Sequence, residues 1–204
     1  MTAARGLFVT VEGIEGAGKS TLAEALADKL RSLGREVVST REPGGTGIGD
    51  SIRELLLESR DDMSNRTELL LFEAARAQHV DDLIAPALKT GAVVICDRFA
   101  DSSLAYQGDA RGIDGDTVAR LNEFATRGLK PDLTILLDLP AEVGLARQRS
   151  MDRISAEGIA FHESVRQGYL AIARAEPERV VVLDAAGSFE EVLGRAWEAI
   201  EVRL

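Results

Sequence analysis

The stretch that decides the fold is Gly13-Ile14-Glu15-Gly16-Ala17-Gly18-Lys19-Ser20, which satisfies the pattern G-x-x-x-x-G-K-S/T. A β-branched apolar run precedes it at residues 7–11, and a stretch with helical periodicity follows at 21–33. The glycines let the backbone close around phosphate oxygens, and the amides at the helix N-terminus supply hydrogen-bond donors. We therefore predict a strand, a phosphate-binding loop and a helix in succession, with a nucleoside triphosphate at the loop.

The residues of this loop receive predicted roles at the donor nucleotide. Lys19 would place a cation near the outer phosphates, where it is also a catalytic candidate, and Ser20 would ligate Mg²⁺. The predicted donor-binding set is Gly13, Glu15, Gly16, Ala17, Gly18, Lys19, Ser20 and Thr21. The alternative is a glycine-rich turn that only joins a strand to a helix, with Lys19 in solvent.

The motif by itself does not choose among a kinase, a GTPase, a motor and an ATP-driven switch. A guanine-nucleotide switch reads its base with N-K-x-D, which this sequence lacks. Residues 109–112 match D-x-x-G, but this short pattern follows no predicted strand. A GTP-dependent switch is therefore disfavoured.

The rest of the chain repeats the alternation of strand and helix. Apolar runs lie at residues 36–39, 93–96, 133–137 and 180–183, and helical patterns lie at 67–88, 117–127, 159–175 and 189–202. Pro86 should kink or end the long middle helix. This order predicts an α/β fold with a doubly wound, five-stranded parallel sheet flanked by helices, in a single domain over residues 1–204.

The composition narrows the possible partners. A net charge of −10 over 204 residues disfavours a groove for a nucleic-acid polymer, which needs a broad positive surface. Cys96 is the only cysteine, so cysteines can build neither a disulfide framework nor a metal site. No stretch has the pattern of a signal peptide or the length of a membrane span, and we expect a cytoplasmic protein without a membrane anchor.

Three further motifs carry a resemblance to a known family. They are Arg41-Glu42-Pro43-Gly44-Gly45-Thr46, Leu71-Phe72-Glu73-Ala74-Ala75-Arg76 and Asp97-Arg98-Phe99-Ala100-Asp101-Ser102-Ser103-Leu104-Ala105-Tyr106-Gln107-Gly108. In this order and spacing the chain resembles bacterial thymidylate kinases from about residue 7 to residue 193. The resemblance implies a P-loop kinase with a mobile lid, Mg²⁺-dependent transfer of the γ-phosphoryl group of ATP to thymidine monophosphate (dTMP), and a homodimer.

Phe72 and Arg76 can also be interpreted from their own chemistry. They are four residues apart on a predicted helix and so share one face. An aromatic ring beside a guanidinium suits a nucleobase, which can stack on the ring and accept a hydrogen bond at its carbonyl edge. The alternative places Phe72 in the core and Arg76 at the surface.

Asp97 and Arg98 follow a predicted strand, at the sheet edge where ligands bind in this class of fold. Arg98 could clamp the acceptor phosphate, and Asp97 could orient either the water shell of Mg²⁺ or the oxygens of the acceptor. A mutual ion pair that caps the strand is the alternative. By the same resemblance, Arg53 corresponds to an arginine that helps bind the acceptor phosphate in the family. The alternative is that the Arg53 side chain is solvated.

The remaining acceptor and donor residues are assigned by the resemblance. Glu42 and Pro43 would shape the loop near the acceptor phosphate, and Ala186 would lie along the adenine ring. The residues that follow Arg98 would offer hydroxyl groups and an amide to one pocket, with Ser103 and Gln107 near the base and Tyr106 against the 2′ carbon of the sugar. The whole predicted acceptor set is Glu42, Pro43, Arg53, Phe72, Arg76, Arg98, Ser102, Ser103, Tyr106 and Gln107.

The resemblance also predicts a lid over ATP at about residues 144–158. It carries Arg147, Arg149 and Arg153, and the phosphate-binding loop has no arginine of its own. We predict that Arg149 or Arg153 meets the transferring phosphoryl group, while Arg147 packs on adenine. Alternatively, these arginines form one solvated helix face. The sequence departs from the family pattern at two points: the segment between Arg149 and Asp152 is shorter than in many relatives, and His162 stands where a second phenylalanine often follows Phe161.

Two other functions remain open from the sequence. The first is a kinase for another nucleoside monophosphate, and the second is a non-catalytic or slowly hydrolysing P-loop switch. A switch would have no need for Arg98 together with Phe72 and Arg76. His79 and His162 have no metal-ligand or triad partners at suitable spacing, so we expect both to be structural or exposed.

Overall fold

A parallel sheet of five strands forms the centre of the computed structural model, which describes residues 5–59, 61–148 and 152–204. The strands are β1 (Phe8–Gly13), β2 (Val37–Arg41), β3 (Val93–Asp97), β4 (Leu133–Asp138) and β5 (Val180–Asp184). Their spatial order is β2-β3-β1-β4-β5, and every neighbouring pair is parallel. The predicted doubly wound, five-stranded sheet is confirmed.

Position in the sheet explains the composition of each strand. All six residues of β1 are buried, and β3 and β4 are buried except at their last residues. The edge strands β2 and β5 are partly exposed and include Ser39 and Thr40 on β2. A strand with neighbours on both sides and helices on both faces has no solvated face, which is why the central strands are nearly continuous apolar runs.

Helices connect the strands and cover both faces of the sheet. They are α1 (Lys19–Ser32), α2 (Gly47–Glu58), α3 (Asn65–His79), α4 (Ala85–Lys89), α5 (Ala100–Ser103), α6 (Gly115–Thr126), α7 (Ala141–Arg147), α8 (Ile159–Ala175) and α9 (Phe189–Glu201). Their starts follow local capping chemistry: the Thr46 hydroxyl accepts from Gly49 N at the start of α2, and Ser188 and Glu191 form a reciprocal capping box on α9. Sequence periodicity had not predicted α2.

The predicted middle helix is interrupted as Pro86 requires. Helix α3 ends at His79, a π-helical turn follows at Val80–Ile84, and α4 then begins with Pro86 in its first turn. Proline lacks an N–H, and its ring crowds the carbonyl four residues earlier, so the preceding turn widens. A second π-helical segment, Leu104–Ala110, continues from α5 and carries part of the acceptor motif.

Two apolar clusters hold the layers together. The larger joins the sheet to α1, α8 and α9, and the smaller lies around Phe8, Phe99 and the buried free thiol of Cys96. Because all strands run in the same direction, their carboxyl ends meet at one edge, where Arg41, Asp97, Gly13 and Asp138 follow one another across the sheet. None of the helices within the described ranges is long and apolar enough to cross a membrane.

Candidate active site

The loop after β1 has the backbone geometry of a phosphate cradle. Gly13, Gly16 and Gly18 all have positive φ, and Gly18 caps the N-terminus of α1. At Gly16 a side chain is also excluded by space, since a Cβ would lie 1.9 Å from the carbonyl oxygen of Gly144. This contact packs the start of the predicted lid directly against the loop. The alternative of a plain connecting turn does not explain a backbone closed so tightly at the N-terminus of a helix.

Lys19 is buried within this loop rather than solvated. Its Nζ donates to the carbonyl oxygen of Ile14 at 2.7 Å. The pKa of Lys19 is lowered to about 8, mainly by burial and then by the nearby Arg98 guanidinium, while the carboxylates of Asp97, Glu15 and Glu12 act in the opposite direction. A cation held in this way gains from a bound polyphosphate, because the phosphate charge would replace lost hydration.

Ser20 and Asp97 meet beside the loop, although 77 positions separate them in the chain. The Ser20 hydroxyl donates to Asp97 Oδ2 at 2.5 Å, and Asp97 Oδ1 is buried without a hydrogen-bond partner among the described residues. A hydroxyl oxygen next to an unpaired carboxylate oxygen is a suitable donor set for a hard cation such as Mg²⁺. The described residues contain no group of three His, Cys, Asp or Glu side chains that could hold a metal, so phosphate and water would have to complete its coordination.

Arg98 follows Asp97 and is held from several directions. Its backbone adopts the left-handed region with φ 72°, which is uncommon for a residue with a Cβ. One guanidinium nitrogen, NH1, donates to Gly13 O at 3.0 Å and to Tyr169 OH at 3.1 Å, and NH2 donates to Glu15 Oε1 at 2.9 Å. The predicted alternative, an ion pair with Asp97, is therefore not the arrangement of Arg98.

Glu15 belongs to the phosphate-binding loop, and its carboxylate accepts a hydrogen bond from the Arg98 guanidinium. It accepts from Tyr106 OH at 2.7 and 2.8 Å, and its Oε2 lies 2.9 Å from Nδ1 of the buried His162. Burial raises the pKa of Glu15, but Arg98, His162, Lys19 and Tyr106 together hold it well below its usual range. Glu15 is therefore an ionised group that links Arg98 to Tyr106, whose ring centroid lies 5.0 Å from Arg98 Cζ.

Arg76 is buried behind the cavity, which contradicts the alternative of a surface cation. Its Nε donates to Glu42 Oε2 at 2.8 Å, and NH1 donates to Glu73 Oε1 at 2.7 Å and to Ser103 Oγ at 2.9 Å. Further acceptors are Asn122 Oδ1 and the carbonyl oxygen of Phe99. These partners outweigh the desolvation of Arg76 and raise its pKa. Phe72, by contrast, is half-buried and lines the cavity.

A cavity of about 250 Å³ brings most of the predicted residues together. The predicted residues among its lining are Glu15, Gly16, Lys19, Ser20, Glu42, Pro43, Arg53, Phe72, Asp97, Arg98, Ser102, Ser103, Tyr106 and Gln107. Arg53 is half-buried there and donates from NH1 to Pro43 O at 2.9 Å, so it is not simply solvated. Arg76 and Ala186 are outside the lining.

Sequence reasoning missed Arg41, Leu57, Gln148, Asp152 and Ile154, which also line the cavity. Arg41 had a usable signal, because it ends a strand next to the one that ends at Asp97. The other four come from the end of α2 and from the lid, where the pattern contained no comparable sign.

Arg147 and Arg153, the described arginines of the predicted lid, both contact groups outside the phosphate-binding loop. Arg153 Nε donates to Leu56 O at 2.9 Å, and its NH2 lies 2.7 Å from Glu68 Oε2. Arg147 ends α7 and donates to the carbonyl oxygen of Ala185 at 3.1 Å, beside the loop that includes Ala186. These two arginines do not share one solvated helix face, and Arg149 lies outside the described residues.

Both histidines are completely buried. His79 Nε2 is 2.7 Å from Thr40 Oγ1, and its Nδ1 is 3.0 Å from Glu42 Oε1. His162 adjoins Glu15, as described above. Of the two expected positions, structural or exposed, both histidines therefore take the buried, structural one. The sequence did not predict the contact of His162 with Glu15, which lines the cavity.

The fold and the site together define a class of protein. A loop that can cradle a polyphosphate opens onto a cavity, and the lining of that cavity also includes the Phe72 ring and the guanidinium groups of Arg53 and Arg98. Two such subsites at the carboxyl edge of a doubly wound sheet define a P-loop nucleotide kinase with separate donor and acceptor sites.

Comparisons with known proteins specify the family. A sequence model of the thymidylate kinase family matches residues 11–195. The chain is 52% identical to a thymidylate kinase of Synechococcus sp. (strain JA-2-3B'a(2-13)), over 97% of this chain and 96% of that protein. It is 54% identical to the Pseudomonas putida (strain GB-1) enzyme, over 92% and 91%. A crystal structure of thymidylate kinase from Ehrlichia chaffeensis superimposes with a TM-score of 0.80 at 33% identity, covering 96% of this chain and 99% of that one. The chain belongs to the thymidylate kinase family.

Proposed function

We propose that this protein transfers the γ-phosphoryl group of ATP to dTMP, giving thymidine diphosphate and ADP. The observation that carries the proposal is the position of Arg98, which lies between the phosphate-binding loop and the cavity and contacts the carbonyl oxygen of Gly13. An acceptor phosphate clamped there would stand next to the end of the triphosphate. Phosphoryl transfer depends mainly on such positioning and on neutralising charge.

The acceptor would be held at its three chemical parts. Phe72 would stack on the thymine ring, and Ser103 and Gln107 would form hydrogen bonds with its polar edge. Arg76 would hold the Ser103 hydroxyl in position, because its NH1 donates to Ser103 Oγ. Tyr106 would pack against the sugar. Arg98 and Arg53 would bind the phosphate, helped by the electrostatic preference of guanidinium groups for phosphate oxygens.

The donor side would use the loop and Mg²⁺. Lys19 would bind the outer phosphate oxygens, and Ser20 with Asp97 would hold the metal or orient its water ligands. Mg²⁺ held there would neutralise part of the phosphate charge. Arg149 and Arg153 would add positive charge from the lid, and Arg147 and Ala186 would border the adenine.

The remaining expectations concern organisation. We propose that residues 1–204 form a single domain with a lid at about 144–158, and that the protein is a cytoplasmic homodimer. Exposed apolar side chains at Ile48 and Leu55 of α2 and at Leu70 of α3 support a self-association surface, because they are more than half exposed on adjacent helices.

The decisive test is the release of ADP with and without a nucleoside monophosphate, followed in a coupled assay. We expect slow turnover of ATP alone, a strong increase with dTMP and a weaker increase with other monophosphates. Chelation of Mg²⁺ should abolish the activity. Equal ADP release with and without every monophosphate would contradict the kinase and favour a P-loop switch, whereas a stronger response to a different monophosphate would contradict only the choice of dTMP.

A further inference from the structure

Glu12 is a buried carboxylate that the proposed mechanism leaves unused. It is the residue before Gly13 on β1, it is 0% exposed, and it is absent from the lining of the cavity. A carboxylate without solvent is costly unless it is fully hydrogen-bonded, so its partners identify what it holds in place.

Three donors converge on the Glu12 carboxylate. Oε1 accepts from the backbone N–H of Phe99 at 2.7 Å. Oε2 accepts from Ser102 Oγ and from Tyr169 OH, both at 2.7 Å. These donors come from the turn after β3, from α5 and from α8, so one side chain joins three separate elements around the end of β1.

The same groups surround Arg98. Its NH1 donates to Tyr169 OH at 3.1 Å and approaches Ser102 Oγ at 3.5 Å. The N–H that Glu12 accepts belongs to the peptide that directly follows Arg98, whose backbone is in the left-handed region. Glu12 therefore fixes the surroundings of Arg98 in two ways. It accepts from the backbone N–H that directly follows Arg98, and it accepts from the two hydroxyl groups that the Arg98 guanidinium contacts.

We propose that Glu12 is a positioning residue for the acceptor-phosphate clamp. The two hydroxyl oxygens also lie 2.7 Å from each other, so three oxygens share two hydrogens. The ionised Oε2 of Glu12 carries no hydrogen of its own, so it draws the hydroxyl hydrogens of Ser102 and Tyr169 and leaves hydroxyl lone pairs for the Arg98 guanidinium. This inference rests on the proposed function, because it gives Glu12 a role only if Arg98 binds the acceptor phosphate.

The electrostatics of the site agree with this arrangement. The pKa of Glu12 is raised to about 7, mainly by burial and then by the Asp101 carboxylate. Arg98 and the hydroxyls of Tyr169 and Ser102 act in the opposite direction and favour the ionised form. The groups that stabilise the charge on Glu12 are thus the guanidinium and the two hydroxyls that it would orient.

Glu12→Gln tests the direction of these hydrogen bonds. The amide keeps the shape and can still accept from Phe99 N, but its NH₂ group must donate toward Ser102 and Tyr169. The hydroxyl hydrogens would then turn toward Arg98. We expect kcat/KM for dTMP to fall on the order of tenfold or more, by the cost of misplacing a reacting group, with little change in the KM for ATP.

The Arg98→Ala background separates positioning from general damage. If Glu12 acts through Arg98, Glu12→Gln should lower kcat/KM for dTMP by less than about twofold in that background, because coupled residues are not additive. Thr10→Val is the matched control, since Thr10 is also buried on β1 and bonds Thr134 Oγ1 instead of the Arg98 group. It should leave the dTMP kinetics close to those of the original protein.

Three outcomes would overturn the proposal. In the first, Glu12→Gln has normal dTMP kinetics while Arg98→Ala is impaired, which leaves the proposed function intact. In the second, Glu12→Gln costs the same with and without Arg98, as for a purely structural residue. In the third, Arg98→Ala itself has normal dTMP kinetics, which removes the clamp from the proposed function as well. If Glu12→Gln does not fold, Tyr169→Phe in the same two backgrounds must show the same non-additivity.

Discussion

The arginines at the cavity and the two described arginines of the proposed lid, Arg147 and Arg153, are held in different ways. On the acceptor side, Arg76 is 1% exposed and Arg98 17%, and both donate to several fixed partners around the cavity. On the lid, Arg153 is bound to Glu68 and Leu56, and Arg147 makes one hydrogen bond to Ala185 O. Groups of the protein itself therefore hold the guanidinium groups of Arg76 and Arg98 at the cavity, whereas Arg153 would have to leave Glu68 and Leu56 to reach a bound phosphate.

This difference has a physical basis. A charge that is already oriented costs no reorganisation when the transition state forms, which suits the group that positions the acceptor. A cation supplied by a closing segment arrives only when the substrates are bound, and the segment can then exclude water. Glu68 connects the two regions, since it accepts from Gln107 of the cavity and also pairs with Arg153.

Removing the lid charges should have the largest effect on turnover. The double variant Arg149→Ala with Arg153→Ala should lower kcat by a factor on the order of 10² to 10⁵, with the upper end typical of an arginine that meets the transferring phosphoryl group. The affinity for dTMP should barely change, because the interaction strengthens only as charge develops. Rates at saturating substrates measure this effect.

Arg147→Ala is the control within the same segment, and it should act mainly on the KM for ATP. A double variant with near-normal kcat would mean that the lid arginines do not take part in the reaction. Lys19 and Mg²⁺ would then have to stabilise the charge.

Removing the preset acceptor charge should have the next largest effect. Arg98→Ala should lower kcat/KM for dTMP by at least ~10²-fold, because the acceptor phosphate loses its clamp and its alignment. Steady-state kinetics with varied dTMP measure this loss.

Arg127→Ala is a matched control for Arg98, since Arg127 also has a positive φ, but it is exposed and pairs with Asp81. It should show normal kinetics. Unchanged dTMP kinetics in Arg98→Ala would exclude Arg98 from the acceptor site.

The buried carboxylate of Glu12 should also lower the stability of the protein by a measurable amount. The pKa of Glu12 is raised from 4.5 to about 7, mainly by burial and then by Asp101. Between these values the folded protein binds more protons than the unfolded chain, so this group lowers the free energy of unfolding as the pH rises. Glu12→Gln lacks that titration, and its stability relative to the original protein should increase from pH 5 to pH 7 by at most about 1.4 kcal/mol per pH unit.

Denaturant unfolding of both proteins at several pH values measures this difference, which should level off above about pH 7. A stability difference that is independent of pH would show that Glu12 has its ordinary pKa in the folded protein.

The smallest predicted effect concerns the sugar. Tyr106→Ala should reduce the preference for dTMP over its ribo analogue on the order of tenfold, the size expected for a pocket that discriminates one small group. Tyr106→Phe keeps the ring and loses only the hydrogen bonds to Glu15, so its preference should stay closer to the original value. The effect is measured as the ratio of kcat/KM for dTMP to kcat/KM for the ribo analogue. An unchanged ratio in Tyr106→Ala would show that Tyr106 does not contact the sugar.

Local pattern alone determined much of this protein. The β-branched runs predicted the five strands, because residues buried on both faces must be apolar, and G-x-x-x-x-G-K-S marked the phosphate-binding loop. Asp97 and Arg98 could be placed at the ligand-binding edge because parallel strands end at a common edge, whereas Ser102, Ser103, Tyr106 and Gln107 were assigned by the family resemblance. Thr46 could in principle have indicated the start of α2, since its capping bond is local.

Only the tertiary structure decided which charged groups meet. Arg76 could have been a surface cation until Glu42, Asn122 and the carbonyl of Phe99 surrounded it, and these partners are 23 to 46 positions away in the chain. Glu12 was an inconspicuous strand residue until Tyr169, 157 positions later, donated to it. Sequence periodicity reports which face of an element is buried, but the partners of a buried charge depend on how distant elements pack, so they become visible only when the chain is folded.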